Sequence, residues 1–443
     1  MSAPRPDRRG LLKAAGLGLA GAALASCAGA EPVSLAAEDR PAPPRALRDI
    51  AVYVPGYMPE KAFANGRPVT RHRRLARGVA DPRQPCRMLS RIGLDGSVRQ
   101  AVLPAFAHDV EVAPDRSVGV LCGFEARDHV AFDPQTLDLV AVAPSFGEGW
   151  RGGGHAVFLD GGRMLALSER APRFALGREG LEAHYGRITL RDPRTLKIRE
   201  SYSSHGVDPH DIRLIEDGRY LVVANYGSLP RAGESQLPVP REVTEACVTI
   251  IDMASGKLVD KQVTGRADTE LRHLAAGSRQ RIFAIQARLG DPQAGAAAMS
   301  EESVAYEADL TGEEGLAYLA APTLKLSQGA AAREMGGRRA RAGQRHGLSI
   351  VYDSKNDQAI ASFPSSHRIM VFDGASGDVA RDIDTSRLGL RYPCGITLLP
   401  DGAHYAVAGY WENLFVFERG AHRLQRDLCL YPTFFGHSHV TSA

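Results

Sequence analysis

Histidine and cysteine recur in this chain at the start of short apolar runs. They stand at His108, His155, His210, His273, His346 and Cys394, spaced by 47, 55, 63, 73 and 48 residues. Another 43 residues reach Gly436-His437-Ser438-His439-Val440, where His437 or His439 takes the place, depending on register. Imidazole and thiolate are the side chains that hold copper, zinc or iron. Ligand bonds near 2 Å let one ion take three or four members of a wide ring, whereas a multinuclear centre takes more. A second reading stands beside this one, in which a duplicated unit inherited a structural histidine that fastens neighbouring strands. The position stays His or Cys while its surroundings diverge, which weighs against the second reading without removing it.

About fifteen residues later the following runs end in polar groups: Glu125 and Arg127, Glu169 and Arg170, Asn225, and Gln286 with Arg288. If the units align, these groups share one channel mouth, where carboxylates orient imidazoles or act as acid and base. Their alternative is a solvated rim of paired Glu and Arg. Trp150-Arg151-Gly152-Gly153-Gly154, just before His155, lets backbone approach a ligand closely or makes a tight crossover between units. His-Glu-x-x-His, Cys-x-x-Cys-His, Gly-Lys-Ser/Thr and Gly-x-Ser-x-Gly motifs are missing, so no nucleotide and no covalent haem are expected.

The elements that carry these residues are β-strands. Short β-rich runs alternate with Asp/Gly/Pro turns, and helical periodicity is nearly absent. One run type ends in an acid placed to cap a turn: Asp133, Asp192, Asp252, Asp373 and Glu418, separated by 59, 60, 121 and 45 residues. A period near sixty, with 121 as two periods, is that of a four-stranded propeller blade, a WD40-like repeat that buries both faces only when neighbours stack on it. The His/Cys positions then start the inner strands, with His108, Val110 and Val112 sharing one face. The expected fold is an all-β, seven-bladed β-propeller closed by pairing the C-terminal strand with N-terminal strands (Asp49 to Val54, Arg87 to Leu94, Val98 to Leu103). Gly290 to Gly343 is rich in Ala, Gly and Arg and fits its blade poorly, which keeps six blades open as an alternative.

The opening residues form an address. Asp7-Arg8-Arg9-Gly10-Leu11-Leu12-Lys13 precedes an apolar run from Ala14 to Ala25, the layout of a twin-arginine export signal. Leu24-Ala25-Ser26-Cys27 is a lipobox in which Cys27 becomes a lipid-modified terminus; cleavage after Ala28-Gly29-Ala30 is the alternative. Gly16-Leu17-Gly18-Leu19-Ala20-Gly21 matches a dinucleotide fingerprint but lies inside this signal without a strand before it. The expected organisation is 1–27 signal with lipobox, 28–47 linker and 48–443 propeller, exported to the periplasm and touching membrane only through a lipid anchor. Five other cysteines (Cys86, Cys122, Cys247, Cys394, Cys429) are widely spaced, with one or two disulfides open and pairing unspecified. Of 54 Lys and Arg against 51 Asp and Glu, the address holds four bases and one acid, so the body is neutral. A neutral body gives no reason to expect nucleic acid.

Ser204-His205-Gly206-Val207-Asp208-Pro209-His210-Asp211, Leu221-Val222-Val223-Ala224-Asn225-Tyr226-Gly227, Leu271-Arg272-His273-Leu274 and the twin-arginine start resemble an exported bacterial propeller family, catalogued as domain of unknown function fifteen-thirteen. The likeness covers about residues 50 to 440. Members are often encoded beside imelysin-type iron-uptake proteins, so the resemblance implies such a periplasmic partner and a role in metal acquisition, without supplying a reaction. The reading adopted is a channel-site binder of iron, copper or zinc, or of a metal complex. Its competitors are a channel-site enzyme, either a metal-dependent lactonase-type hydrolase or an oxidoreductase, and a protein-binding scaffold.

Overall fold

Among the described residues, seven sheets of three to five antiparallel strands follow one another along the chain, beside two small two-stranded sheets. The computed structural model describes residues 43–58, 63–64, 67–68, 86–104, 107–124, 127–172, 180–230, 241–264, 266–289, 318–390, 392–409, 414–430 and 439–443. Pro41 to Ala443 form one compact unit. Their inner strands are Ala107–Val112, Arg151–Leu159, Pro209–Ile215, Thr269–Ser278, Ser349–Asp353, Pro393–Leu398 and Thr441–Ser442. Each contacts the next around the ring, and Thr441–Ser442 contacts Ala107–Val112. This is a seven-bladed β-propeller.

Closure is made as the sequence predicts. Thr441–Ser442 pairs with Ala51–Met58, which pairs with Cys86–Gly93 and then Val98–Val102. The blade holding these strands is the first, and the others are counted along the chain. Joining both parts of the chain in one sheet removes an exposed edge. The fifth blade is completed by Leu324–Leu326 and Arg333–Glu334 within the poorly matching stretch, which settles the blade number at seven.

Burial follows the same order in every blade. Second strands are mostly buried, completely so in Gly119–Gly123 and Tyr220–Asn225, whereas the outer strand Leu139–Pro144 is largely exposed. The apolar core is divided into seven clusters, one between each pair of neighbouring blades, including one between the seventh and first. No blade therefore has a core of its own, which explains why the sequence repeats the unit around a closed ring. Leu47, at the end of the short 3-10 turn Arg45–Leu47, packs into the seventh-to-first cluster.

The turn acids do what their spacing predicts. Asp133 Oδ1 accepts the amides of Gln135 and Thr136, and Asp192, Asp252 and Asp373 repeat the arrangement. These bonds favour the charged form and hold the Asp192 carboxyl at about 2. Glu418 differs, since its carboxylate takes the Arg423 guanidinium.

Candidate metal centre

The inner strands are irregular where they carry histidine. Register shifts fall between Ala107 and Asp109, Gly152 and Ala156, Pro209 and Ile212, and Leu271 and His273. A bulge re-aims side chains and breaks strict alternation. Consecutive residues such as His108-Asp109 and His210-Asp211 consequently both reach the centre. Gly154, at φ +103°, serves the same purpose: a Cβ there would stand 3.2 Å from His210 and 3.0 Å from Phe124. The glycine run therefore brings backbone against the rings.

Four imidazoles meet on the channel axis. One nitrogen from each of His108, His155, His210 and His273 lies within 4.8 Å of the others, and all four residues are buried. His439 joins them: its ring centroid is 4.2 Å from His273, 4.6 Å from His155 and 4.9 Å from His108. The His210 Nδ1–H donates to the Gly153 carbonyl at 2.5 Å, which leaves Nε2 with its lone pair. Among the described residues, Nε2 of His210 and of His155 is buried with no hydrogen-bond partner. Burial, followed by the neighbouring rings, pushes His210 and His273 well below the ordinary imidazole value. They are neutral at pH 7, the form that ligates metal.

Two carboxylates lie behind the rings. Asp109 Oδ2 is 3.1 Å and Asp211 Oδ1 3.4 Å from His155 Nδ1, and Asp211 Oδ2 is 3.8 Å from His273 Nδ1. Asp211 is itself held by the Leu274 amide at 3.0 Å and Arg213 at 3.2 Å. A carboxylate at one imidazole nitrogen fixes the tautomer and turns the other nitrogen towards an ion. Sequence reasoning missed both acids, although a His-Asp pair recurs in the second and fourth blades. On one side the cluster is capped by Phe124, stacked on His108, and by the buried Arg170, whose guanidinium sits over Phe124 and Tyr226 and pairs with Asp208 at 3.2 Å.

Other expected members fall elsewhere. Ser349, not His346, fills the sixth-blade position equivalent to His155: Ser362 Oγ bonds the Ser349 amide and carbonyl as Ser168 Oγ bonds those of His155. His346 lies three residues earlier, in left-handed backbone, with Nδ1 against the Tyr392 hydroxyl at 3.1 Å. Cys394 does occupy the position of His210, since Ser362 Oγ bonds its carbonyl as Ser168 Oγ bonds that of His210. Its thiol, however, turns to the Tyr392 carbonyl, and burial raises its pKa well above the usual range. His437, Glu125 and Cys27 lie outside the described residues.

The expected rim is largely interior. Glu169 accepts Arg191, Thr189 and the Phe146 amide, clamping the second blade's edge to the third rather than facing the rings. Burial first, against Arg191, leaves its carboxyl above the usual value. Asn225 donates to Val223, Cys247 and Thr249, and Gln286 donates to the Pro322 carbonyl, so both fasten strands. Of the described members of that set Arg170 stands at the cluster, because alternation along Met164–Arg170 sends it to the face opposite Glu169. Cys122, Cys247 and Cys394 are free thiols.

Fold and site thus define a seven-bladed propeller with a buried histidine cluster on its axis. The chain belongs to the family described as "Protein of unknown function (DUF1513)", which matches residues 101–427. No curated protein sequence matches it. Among solved structures, Kuenenia stuttgartiensis hydrazine synthase aligns with a TM-score of 0.50 at 14% identity, over 75% of this chain and 90% of that one. The Myceliophteria thermophila Cps50 (Swd1) β-propeller domain aligns at 0.39 and 13% identity, over 63% and 69%. The first likeness concerns fold alone.

Proposed function

We propose that this protein binds one transition-metal ion through His108, His155, His210 and His273, and serves as an exported, lipid-anchored accessory to metal uptake, iron foremost. The observation that carries the reading is convergence. Four imidazoles from four successive blades bury their nitrogens together, two of them without a hydrogen-bond partner among the described residues. Buried polar atoms are ordinarily satisfied, and an ion bonded to them supplies the missing partner. All-nitrogen donors suit iron, copper and zinc, while Asp109 and Asp211 offset the positive charge of the ion. The 4.8 Å outer spacing exceeds the about 3.3 Å between ligands of a tetrahedral ion, so the rings move inward on binding.

Binding is favoured over turnover because Glu169, the described candidate base, is engaged away from the rings, and Phe124 and Arg170 cover one side of the cluster. The twin-arginine signal and Cys27 lipobox support export and anchoring, and the family's usual imelysin-type neighbours support a periplasmic uptake partner. Among the described residues no helix is long and apolar enough to cross a membrane. Elemental analysis of protein purified from its own export compartment tests the binding claim. Stoichiometric metal in the wild type and none in a His108→Ala/His210→Ala double variant supports it; metal-free wild type that also takes up no added ion overturns it. Cys27→Ser should move the protein from the membrane fraction to the soluble one, and an unchanged distribution rejects the anchor.

A further inference from the structure

The strand that closes the ring also brings a histidine to the cluster. Thr441–Ser442 is the shortest of the seven inner strands and pairs only with Val52 and Tyr53. A few more bonds hold it. Ala443 and Ala51 exchange amide hydrogen bonds at 3.0 and 2.9 Å, the Ser442 hydroxyl donates to the Leu398 carbonyl at 2.9 Å, and the His439 amide donates to the His108 carbonyl at 3.1 Å. The other inner strands enter the sheet through longer pairing, so closure is the place where the ring is least tied by its backbone.

His439 points its ring at the candidate ligands. Its Nε2 stands 3.4 Å from Nε2 of His273, whose Nδ1 faces Asp211. Two nitrogens bonded to one tetrahedral ion at about 2.0–2.1 Å are separated by about 3.3 Å. The His273–His439 spacing is therefore already that of two ligands of one ion. The remaining rings around them are those of His108 and His155, at centroid distances of 4.9 and 4.6 Å from His439.

We propose that His439 is a fifth ligand of the same ion, expanding the four-imidazole set, so that metal occupancy and closure of the propeller are linked. This rests on the metal-binding reading above. With the ion bound, peeling Thr441–Ser442 from the first blade must also break a metal–nitrogen bond, in addition to the backbone and hydroxyl bonds and the packing of Val440 and Ala443 that hold the strand in either state. Reciprocity makes the coupling measurable from both sides. The factor by which metal slows opening of the closing strand equals the factor by which an open strand weakens metal binding, which loss of the His439 imidazole reports.

Hydrogen exchange of the His439, Ala443 and Ala51 amides, followed with and without saturating Zn(II), tests this alongside Zn(II) affinities of wild type, His439→Ala and His439→Gln. In the wild type, exchange at these amides slows on Zn(II) binding by the same factor, within about threefold, as the affinity lost in the variants, for which the usual ligand losses suggest 10- to 100-fold. In both variants Zn(II) still binds at one ion per chain but no longer slows those amides. His439→Gln keeps size and a polar tip, so it guards against a packing defect in the alanine variant. Wild-type protein that binds Zn(II) with no change at the three amides, or variants that bind as tightly as wild type, overturns the linkage while leaving the metal site standing. A wild type that binds no Zn(II), Co(II), Cu(II) or Fe(II) overturns both.

Discussion

Replacing Asp211 with asparagine removes one charge while keeping shape, and the structure gives the consequence a scale. Asp211 lies 3.4 Å from His155 Nδ1 and 3.8 Å from His273 Nδ1, and accepts the Leu274 amide at 3.0 Å. Asparagine retains a carbonyl oxygen for Leu274 but presents no anion to either ring. Both imidazoles then lose the partner that turns Nε2 inward and raises its basicity. Loss of such a partner ordinarily costs 10- to 100-fold in metal affinity, about 1.4–2.8 kcal/mol, and the upper end applies because two rings share this one. Asp109→Asn provides the internal scale, since Asp109 reaches only His155, at 3.1 Å. Co(II) titration against a chromophoric chelator, with circular dichroism to confirm the fold, should give affinities in the order wild type, Asp109→Asn, Asp211→Asn. Equal affinities in all three folded proteins, or a larger loss for Asp109→Asn, would refute the argument that these acids position the rings.

Three further outcomes follow from the described geometry. His346→Gln and Cys394→Ser should each leave metal stoichiometry at one per chain by elemental analysis, because neither side chain joins the cluster; loss of the ion in either would show the ring to be wider than four or five imidazoles. Glu169→Ala strands the buried Arg191 guanidinium and should lower stability in urea by about 3–5 kcal/mol while sparing metal binding; a change under about 1 kcal/mol would show that the clamp is unimportant. Burial, then Arg191, lowers His129 from 6.5 to about 3. Because the unfolded chain takes up that proton first, the stability contributed by the neutral ring is complete above pH 6.5 and declines as pH falls towards about 3. His129→Gln should reduce the slope of unfolding free energy against pH in that window by one proton, about 1.4 kcal/mol per pH unit, and an unaltered slope would contradict the assignment.

Architecture was legible because it is periodic. The turn acids Asp133, Asp192, Asp252 and Asp373 mark equivalent corners, and each makes the local amide bonds its position implies. Strand alternation was less reliable at the site, since bulges at His108 and His210 turn two consecutive side chains to the axis. Asp109 and Asp211 reach the rings only because of these bulges, whereas the regular strand Met164–Arg170 turns Glu169 and Arg170 to opposite faces. Spacing alone does not distinguish His346 from Ser349, three residues later, whose equivalence to His155 is visible in the bonds to Ser362. Cys394 was aligned correctly, but the direction of its thiol depends on Tyr392, a contact no spacing reveals.

Anomalous scattering from crystals of the metal-loaded protein addresses the central claim most directly. The account predicts one strong peak on the propeller axis, about 2.0–2.1 Å from Nε2 of His155 and His210. Peaks confined to the surface, for instance at the His404–Asp401 pair, with the axial imidazoles hydrogen-bonded to water instead, would contradict it.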